Sequence, residues 1–140
     1  MAHYKQITKE GKTQMLRLAF SQDNGFGYLA LGGDGSNAAE TGNSSNFSEI
    51  ESSNYHRAPL NEEEVDEEAQ SITLSAVFDD TNVNSSAGVT INEIGIVDQP
   101  EDTGSSNQIF FAFAEIPPIL KSDNISLKYT IVVSMLWGEK

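Results

Sequence analysis

The first apolar residues of the chain recur every three or four positions, which is typical of one face of a helix. This stripe consists of Ile7, Gly11, Met15, Leu18 and Ala19. Thr8 can cap the helix, and Glu10 suits the positive end of the helix dipole. Gly11 costs such a helix about 1 kcal/mol relative to alanine, which indicates that another backbone comes close there. The pattern predicts an α-helix over residues 8–20, followed by a turn at residues 23–25.

Beyond residue 25 the apolar residues alternate with polar ones or form short runs, and both patterns predict β-strands. The clearest alternation covers residues 71–78, and the longest covers residues 125–137. Shorter apolar segments predict further strands at residues 26–31, 90–98 and 109–116.

Three segments lack a strong strand pattern. Residues 55–60 are at most an edge strand, because Pro59 has no amide hydrogen to donate to a sheet. The acidic run at residues 62–68 is interpreted as a solvated turn, and residues 34–48 as a long surface loop rich in Gly, Ser and Asn. Five to seven strands after one helix predict a mainly β fold, an antiparallel β-sandwich or barrel with one short N-terminal α-helix. No repeat or linker divides residues 1–140, so we predict a single domain.

The charge of the chain is strongly acidic and unevenly distributed. A net charge of −13 argues against binding to nucleic acid or to an anionic membrane. The first 20 residues are nevertheless basic, with Lys5, Lys9, Lys12 and Arg17 against one acid, Glu10. This basic segment docks on the acidic body, on a neighbouring copy or on another protein, or it is a helix with solvated lysines. The sequence leaves these alternatives open.

The residue types that are absent narrow the function further. The 140 residues contain no cysteine, which excludes disulfides, thiolate metal sites and thiol nucleophiles. No apolar run approaches the roughly 20 residues that span a bilayer. The N-terminus has no hydrophobic stretch of the signal-peptide kind. A cytoplasm, or a particle assembled in one, is therefore the expected location.

Signals of catalysis and metal binding are weak. His3 and His56 are the only histidines, and no nucleophile elbow, H-E-x-x-H or phosphate-binding loop is present. Residues 79–84 begin like a calcium loop, but Ser85 and Ile91 stand where an EF-hand needs glycine and glutamate. We therefore expect no enzyme and no cofactor. Residues 79–84 are interpreted as part of a solvated hairpin loop, with a calcium site of another kind as the open alternative.

Six short motifs follow one another along the chain. They are the helix ITxxGKxxML, the strand LALGGDG, the segment YHRAPL, the strands ITLSAVF and INEIGIVD, and FAFAEIPPILK before a long last strand. This order resembles the amino-terminal domain of phage tail-collar and tail-fibre proteins, across roughly residues 4–136. The resemblance implies a structural role, because such domains attach a fibre to a baseplate or collar.

The resemblance also selects individual residues for a structural or assembly role. These are Gly11, Asp34, Gly35, Arg57, Glu93, Gly95 and Lys121. Asp34 and Gly35 predict a turn with positive φ, and Gly95 within a strand predicts a bulge or a close backbone approach. Arg57 and Glu93 are expected to form a buried pair between strands, with ordinary surface charges as the alternative.

The leading hypothesis is therefore a structural virion protein. Fibre proteins of that family continue into a long shaft, whereas this sequence ends at Lys140, so we expect an adaptor at the tail, baseplate or fibre connection. Capsid decoration is the alternative within the same class. A host-glycan-binding module is the alternative from another class, and it requires exposed aromatic residues in the loops, where residues 34–48 offer only Phe47.

The segment 110–120 predicts self-association. It contains eight hydrophobic residues, more than one sheet face of a monomer of this size can hide. We therefore predict a homo-oligomer, and the resemblance favours a trimer because the family's fibres are trimeric. Other virion proteins are the remaining expected partners.

Overall fold

The computed structural model describes residues 7–52, 54–83, 87–101 and 108–134. In this part of the chain one main helix precedes a series of strands. The elements are α1 (Lys9–Ala19), β1 (Tyr28–Gly32), α2 (Ala38–Thr41), a 3-10 helix (Ser44–Asn46), β2 (Ala58–Pro59), β3 (Asn61–Asp66), β4 (Ser71–Phe78), β5 (Val89–Val97), β6 (Phe110–Lys121) and β7 (Leu127–Ser134). The predicted mainly β fold with one short N-terminal helix is confirmed.

The strands form two antiparallel sheets that pack like a sandwich. The first sheet has the strand order β2-β1-β5-β6, and the second has the order β3-β4-β7. Their inner faces share one apolar core, because alternate residues of each strand point the same way. The most deeply buried members of this core are Leu16, Leu29, Leu31, Ile72, Leu74, Phe78, Val83 and Ile91.

Helix α1 forms over nearly the predicted residues, but the predicted stripe does not face the core, since Met15 and Leu18 are 40% and 57% exposed. The Thr8 hydroxyl oxygen accepts a hydrogen bond from the Gly11 amide at 2.9 Å, which caps the first turn. Leu16 and Phe20 bury the inner face of the helix in the core. A Cβ on Gly11 would lie 3.0 Å from that same Thr8 oxygen. The tight approach at Gly11 is therefore made by the capping side chain and not by another backbone.

The basic segment and the acidic segment of the chain lie together. Lys9 contacts Glu68 at 2.6 Å, and Arg17 contacts Glu62 at 3.4 Å. The prediction of a solvated turn at residues 62–68 is wrong for most of that run, since residues 61–66 are strand β3. Residue-by-residue pairing with the apolar strand β4 holds these acidic residues in extended form, with their side chains exposed.

Strand β6 is longer than predicted because it continues through two prolines. Its pairing with β5 shifts between Glu115 and Ile119, so that residues 116–118 lie opposite a single residue of β5. A bulge on an edge strand tolerates proline, because the missing amide hydrogen has no ladder partner there. The strand therefore reaches Lys121 and not residue 116.

The remaining boundaries differ by a few residues. Strands β1 and β5 lie within two residues of their predicted limits, and β4 matches its prediction. The predicted strand at residues 55–60 shortens to the two residues of β2, at the edge of the first sheet. The last predicted strand covers β7, and its residues 135–137 lie outside the described part of the chain. A search of the described helices finds none with the length and apolar character that crossing a membrane requires.

Candidate functional site

Arg57 occupies a buried position just before β2. Its Nε and one terminal nitrogen donate to the two carboxylate oxygens of Glu49, at 2.8 and 2.7 Å. Further donations reach the Gln99 carbonyl oxygen at 3.1 Å and the Gln108 side-chain oxygen at 2.8 Å. The guanidinium carbon lies 5.7 Å from the centre of the Phe110 ring, within cation–π range. Arg57 thus fastens three separate segments of the chain to one point.

Tyr55 completes this network. Its hydroxyl donates to Glu49 and accepts a hydrogen bond from the Leu31 amide at 3.1 Å. Burial raises the pKa of Tyr55 above its ordinary value, and the negative charge of Glu49 raises it further. The phenol therefore stays protonated and acts as a hydrogen-bond donor at neutral pH. Residues 49, 55 and 57 form what we call the arginine anchor.

The predicted pair between Arg57 and Glu93 is wrong, although both residues are buried. Glu93 accepts hydrogen bonds from the Ser36 hydroxyl at 2.7 Å and from the amides of Ala38 and Ala39 at 3.0 and 2.7 Å. It therefore caps the start of α2 and holds the loop after β1 against β5. The carboxylate that pairs with Arg57 is that of Glu49, which lies in the same loop, and not that of Glu93 in β5.

Lys121 lies at the end of β6 and is fully buried. Its ammonium donates to the backbone oxygens of Asn82 and Ser122, at 2.7 and 3.0 Å. Burial lowers the pKa of Lys121, and the nearby carboxylates of Asp79, Asp80 and Asp123 oppose that effect. Lys121 thus ties the loop after β4 to the turn that joins β6 and β7.

The loop after β4 is held from a second side by Asn82. The Asn82 side chain accepts from the His56 amide at 3.2 Å and donates to the His56 carbonyl at 2.9 Å, as a neighbouring strand would. The next residue, Val83, is buried with φ of 60°, an uncommon conformation for a β-branched residue. These contacts hold the backbone in that conformation.

Residues 79–83, interpreted as part of a solvated hairpin loop, instead begin the connection from β4 in the second sheet to β5 in the first, and Asn82 and Val83 are buried. No metal site is visible among the described residues of this loop. In those ranges no group of three or more His, Cys, Asp or Glu residues is placed to hold an ion. One Asp79 carboxylate oxygen instead accepts from the Thr81 hydroxyl and amide, at 2.6 and 2.9 Å, and from the Asn82 amide at 3.2 Å. These hydrogen bonds, first that of the Thr81 hydroxyl, lower the pKa of Asp79. Residues 84–86 lie outside the described chain.

Gly35 and Gly95, two of the three glycines selected by the resemblance, have local explanations. Gly35 follows Asp34 in the turn after β1 and has φ of 82°, which confirms the predicted positive φ. Gly95 lies in β5, where a Cβ would approach the rings of Phe110 and Phe113 to 3.0 Å. The close approach predicted at Gly95 is therefore made by aromatic side chains and not by a backbone.

A cleft of about 960 Å³ opens beside the arginine anchor. The rings of Phe47 and Phe110 line it together with carboxylates at Glu51 and Glu101. Phe47 packs against Phe110 and Phe113, with ring centres 5.2 Å apart in each case. These contacts cover part of the half-buried Phe47 ring, which also lines the cleft.

The surface at the edge strands β6 and β7 is open and apolar. Strands β6 and β7 are each the last strand of their sheet, and residues 122–126 join them. The inward-facing residues of β7 are only half-buried, and Phe111 on β6 is 46% exposed. We call this surface, formed by β6 and β7, the open side.

Comparisons with known protein families, with curated proteins and with solved structures find no match to this chain.

The open side could be predicted in part from the sequence, whereas the hydrogen-bonding partners of Arg57 and Lys121 could not. The apolar crowding of residues 110–120 indicated exposed hydrophobic surface, and the structure has it. Glu49 and Asn82, by contrast, lie in polar loops that no periodic pattern distinguishes. Only the tertiary pairing of those loops with Arg57 and Lys121 makes them structural.

Proposed function

We propose that the protein is a non-enzymatic structural module of a phage-like particle, an adaptor at the tail, baseplate or fibre connection. The observation that carries the proposal is the open side, because a monomer rarely leaves a long apolar strand uncovered. A surface of this kind is typical of a protein that functions within an assembly. The protein is proposed to act in the virion as a homo-oligomer, with a trimer favoured, together with other virion proteins.

The hydrogen bonds of the buried polar residues are a second, independent support for this proposal. Arg57, Glu93 and Lys121 each match the tail-collar and fibre motifs, and each fastens a loop to the sandwich. Such residues hold the loops of a binding module in fixed positions. Their hydrogen-bonding groups are directed into the fold, which is how an assembly scaffold uses polar residues.

The test is the location of the protein in purified particles. Particles are prepared from a producing culture and labelled with antibody against this chain, and the copy number per particle is measured by quantitative mass spectrometry. Label at the tail with few copies is the expected result. Label over the capsid in many copies would support the alternative of capsid decoration instead. Absence from the particles, with the protein recovered free in the lysate, would overturn the proposal.

A further inference from the structure

The two free edges of the open side face in the same direction. Strand β2 runs into β3 through Leu60 on one side of the sandwich, and β6 runs into β7 on the other. Each of the four strands is the last of its sheet. The unpaired backbone groups of β6 and β7 therefore lie side by side, and a neighbouring molecule can reach both of them together.

The inner face of β6 is unusually accessible. Ala112 and Ala114 lie opposite Ile96 and Ile94 in the antiparallel register, so they share the face that those core residues bury. Both alanines are nevertheless exposed. We call the apolar surface between these small exposed side chains and the inward residues of β7 the trough.

The facing strand completes the trough. The inward residues of β7 are the partly buried Leu127, Tyr129, Ile131 and Val133. The Tyr129 hydroxyl is buried and has no hydrogen-bond partner among the described residues. A polar group from an incoming segment would satisfy it.

Charge decides which edge can meet another copy of this chain. Two copies that each carry −13 repel one another, so contact is favoured where like charge is scarce. Strand β3 has four carboxylates in six residues, and β2 is only two residues long. The charged residues of β6 are Glu115 and the buried Lys121, and β7 has Lys128 alone. Glu115 and Lys128 give a β6–β7 contact between copies no net charge at its surface.

We infer that the open side binds a second copy of this chain, with β6 of one copy beside β7 of the next. This inference rests on the proposed assembly role and names the surface that performs it. A closed oligomer built in this way, which we call the ring whether it contains two copies or more, covers both free edges of every copy, whereas a contact of β6 with β6 alone leaves β7 uncovered. One such contact has the 12 residues of β6 on one side and the 8 residues of β7 on the other, which is small beside the roughly 20–30 residues on each side of a typical stable interface. In the closed ring every copy makes two of these contacts.

The prolines limit where the strands can pair. Pro117 and Pro118 have no amide hydrogen, so the free edge of β6 cannot extend a ladder through them. Pairing is therefore confined to the part of β6 before residue 117. Leu120, beyond the prolines and 52% exposed, contributes side-chain contact without backbone pairing.

The first test compares two charge substitutions. Ala114→Glu introduces a carboxylate into the trough, and Val77→Glu introduces one at an exposed position on the outward face of the central strand β4. Mass is measured by light scattering at micromolar concentration, and folding by circular dichroism. Wild type and Val77→Glu are expected to form the ring, with Ala114→Glu associating at least tenfold more weakly. A monomeric wild type, or equal association of Ala114→Glu, would overturn the inference.

The second test does not depend on a destabilising change. Because the chain has no cysteine, Ala112→Cys on β6 and Val133→Cys on β7, both on the inward faces of their strands, each provide one thiol. The two variants are mixed and treated with a short bis-maleimide cross-linker. Cross-linking between the two variants is expected. Linkage only between Ala112→Cys copies would show a contact of β6 with β6 and overturn the pairing of β6 with β7, and the absence of cross-links would overturn the surface altogether.

The experiments can contradict the proposed assembly role and the proposed contact surface independently of one another. Protein that is present in purified particles but whose Ala114→Glu variant assembles normally would contradict the surface and leave the role standing. Rings in solution, combined with absence of the protein from particles, would contradict the role and leave the surface standing.

Discussion

Arg57 and Glu49 form an ion pair in which the arginine side chain is only 1% exposed. Burying a charged group costs solvation free energy, so the pair adds little net stability. Removing one partner, however, leaves the other charge buried without a counter-charge and is strongly destabilising. Glu49→Gln would leave the guanidinium buried without a carboxylate. We expect it to lower the free energy of unfolding by about 3 kcal/mol, measured by urea denaturation at constant pH. Glu51→Gln, an exposed control two residues away, should change it by less than about 0.5 kcal/mol.

Double-mutant cycles separate this pair from the pair that the sequence suggested. Substitutions at Arg57 and Glu49 should couple by more than about 1 kcal/mol, since the two side chains are in direct contact. Substitutions at Arg57 and Glu93, which have separate partners, should add to within about 0.5 kcal/mol. The opposite order of the two coupling energies would contradict the arginine anchor.

The buried Lys121 should change how the free energy of unfolding depends on alkaline pH. Because burial lowers its pKa in the folded protein, the unfolded chain binds more protons than the folded one between that pKa and the ordinary value near 10.5. In that window the unfolding free energy of wild type should rise with pH relative to Lys121→Met. Urea denaturation of both proteins between about pH 7 and pH 10 measures the difference.

The comparison with Lys121→Met removes the contribution of the buried tyrosines. Burial raises the pKa of Tyr55 and of Tyr129, so their ionisation destabilises both proteins as pH rises beyond about 10. That effect cancels in the difference between wild type and variant. Parallel pH profiles for the two proteins would show that Lys121 has the same proton affinity folded and unfolded.

For individual residues, burial was easier to predict from the sequence than the identity of the hydrogen-bonding partner. Arg57 lies just before β2 and Glu93 lies within β5, and both are buried as the sequence indicated. Their partners, Glu49 and the amides of α2, lie in a loop without hydrophobic periodicity. The position of a loop depends on the distance between the two elements it joins and on the polar groups that hydrogen-bond to it. The residue types within the loop specify neither of these.

The short helix α2 depends on a strand for its position. It is only four residues long and is therefore too short to be stable alone. Glu93 on β5 accepts hydrogen bonds from two of its amides, and the Ala38 side chain is buried. The loop that the sequence predicts as free surface is therefore fastened to the first sheet.

Glu93→Gln should release this loop locally. A hydrogen bond to a charged group contributes about 1.5–3 kcal/mol, and about 1.4 kcal/mol corresponds to a tenfold change. We therefore expect amide hydrogen exchange at Ala38 and Ala39 to become at least about tenfold faster. Amides of β4 should keep their protection. Glu40→Gln, an exposed change within α2, is the matched control and should leave the exchange of the loop unaltered.

At the element scale, side-chain alternation succeeded where one face of a strand is buried. Strand β4 follows its predicted limits because Ile72, Leu74, Ala76 and Phe78 alternate along it and face the core. Strand β3 was missed because its carboxylates carry no such pattern, and its extended form comes from pairing with β4. Strand β6 was shortened in prediction because prolines normally end a strand. Here a bulge places them at a free edge.

Taken as a whole, the molecule has one acidic side and one nearly uncharged side. The acidic strand β3 lies at one edge of the second sheet, and β7 lies at the other. Like charges on β3 disfavour contact between copies there, while the open side lacks that repulsion. The net charge of −13 therefore contributes to the choice of contact surface as well as to solubility.

This distribution predicts how self-association responds to salt. Contact through the open side is apolar, while the remaining charges of two copies repel one another at long range. Raising the salt from about 0.05 M to about 0.5 M shortens the range of that repulsion to a few ångströms. The association constant measured by sedimentation should therefore rise several-fold. The dependence should be steeper for Ala114→Glu, which adds a carboxylate at the contact itself. Association that weakens with salt would instead indicate attraction between oppositely charged surfaces, and the contact would then have to involve β3 and the basic residues of α1.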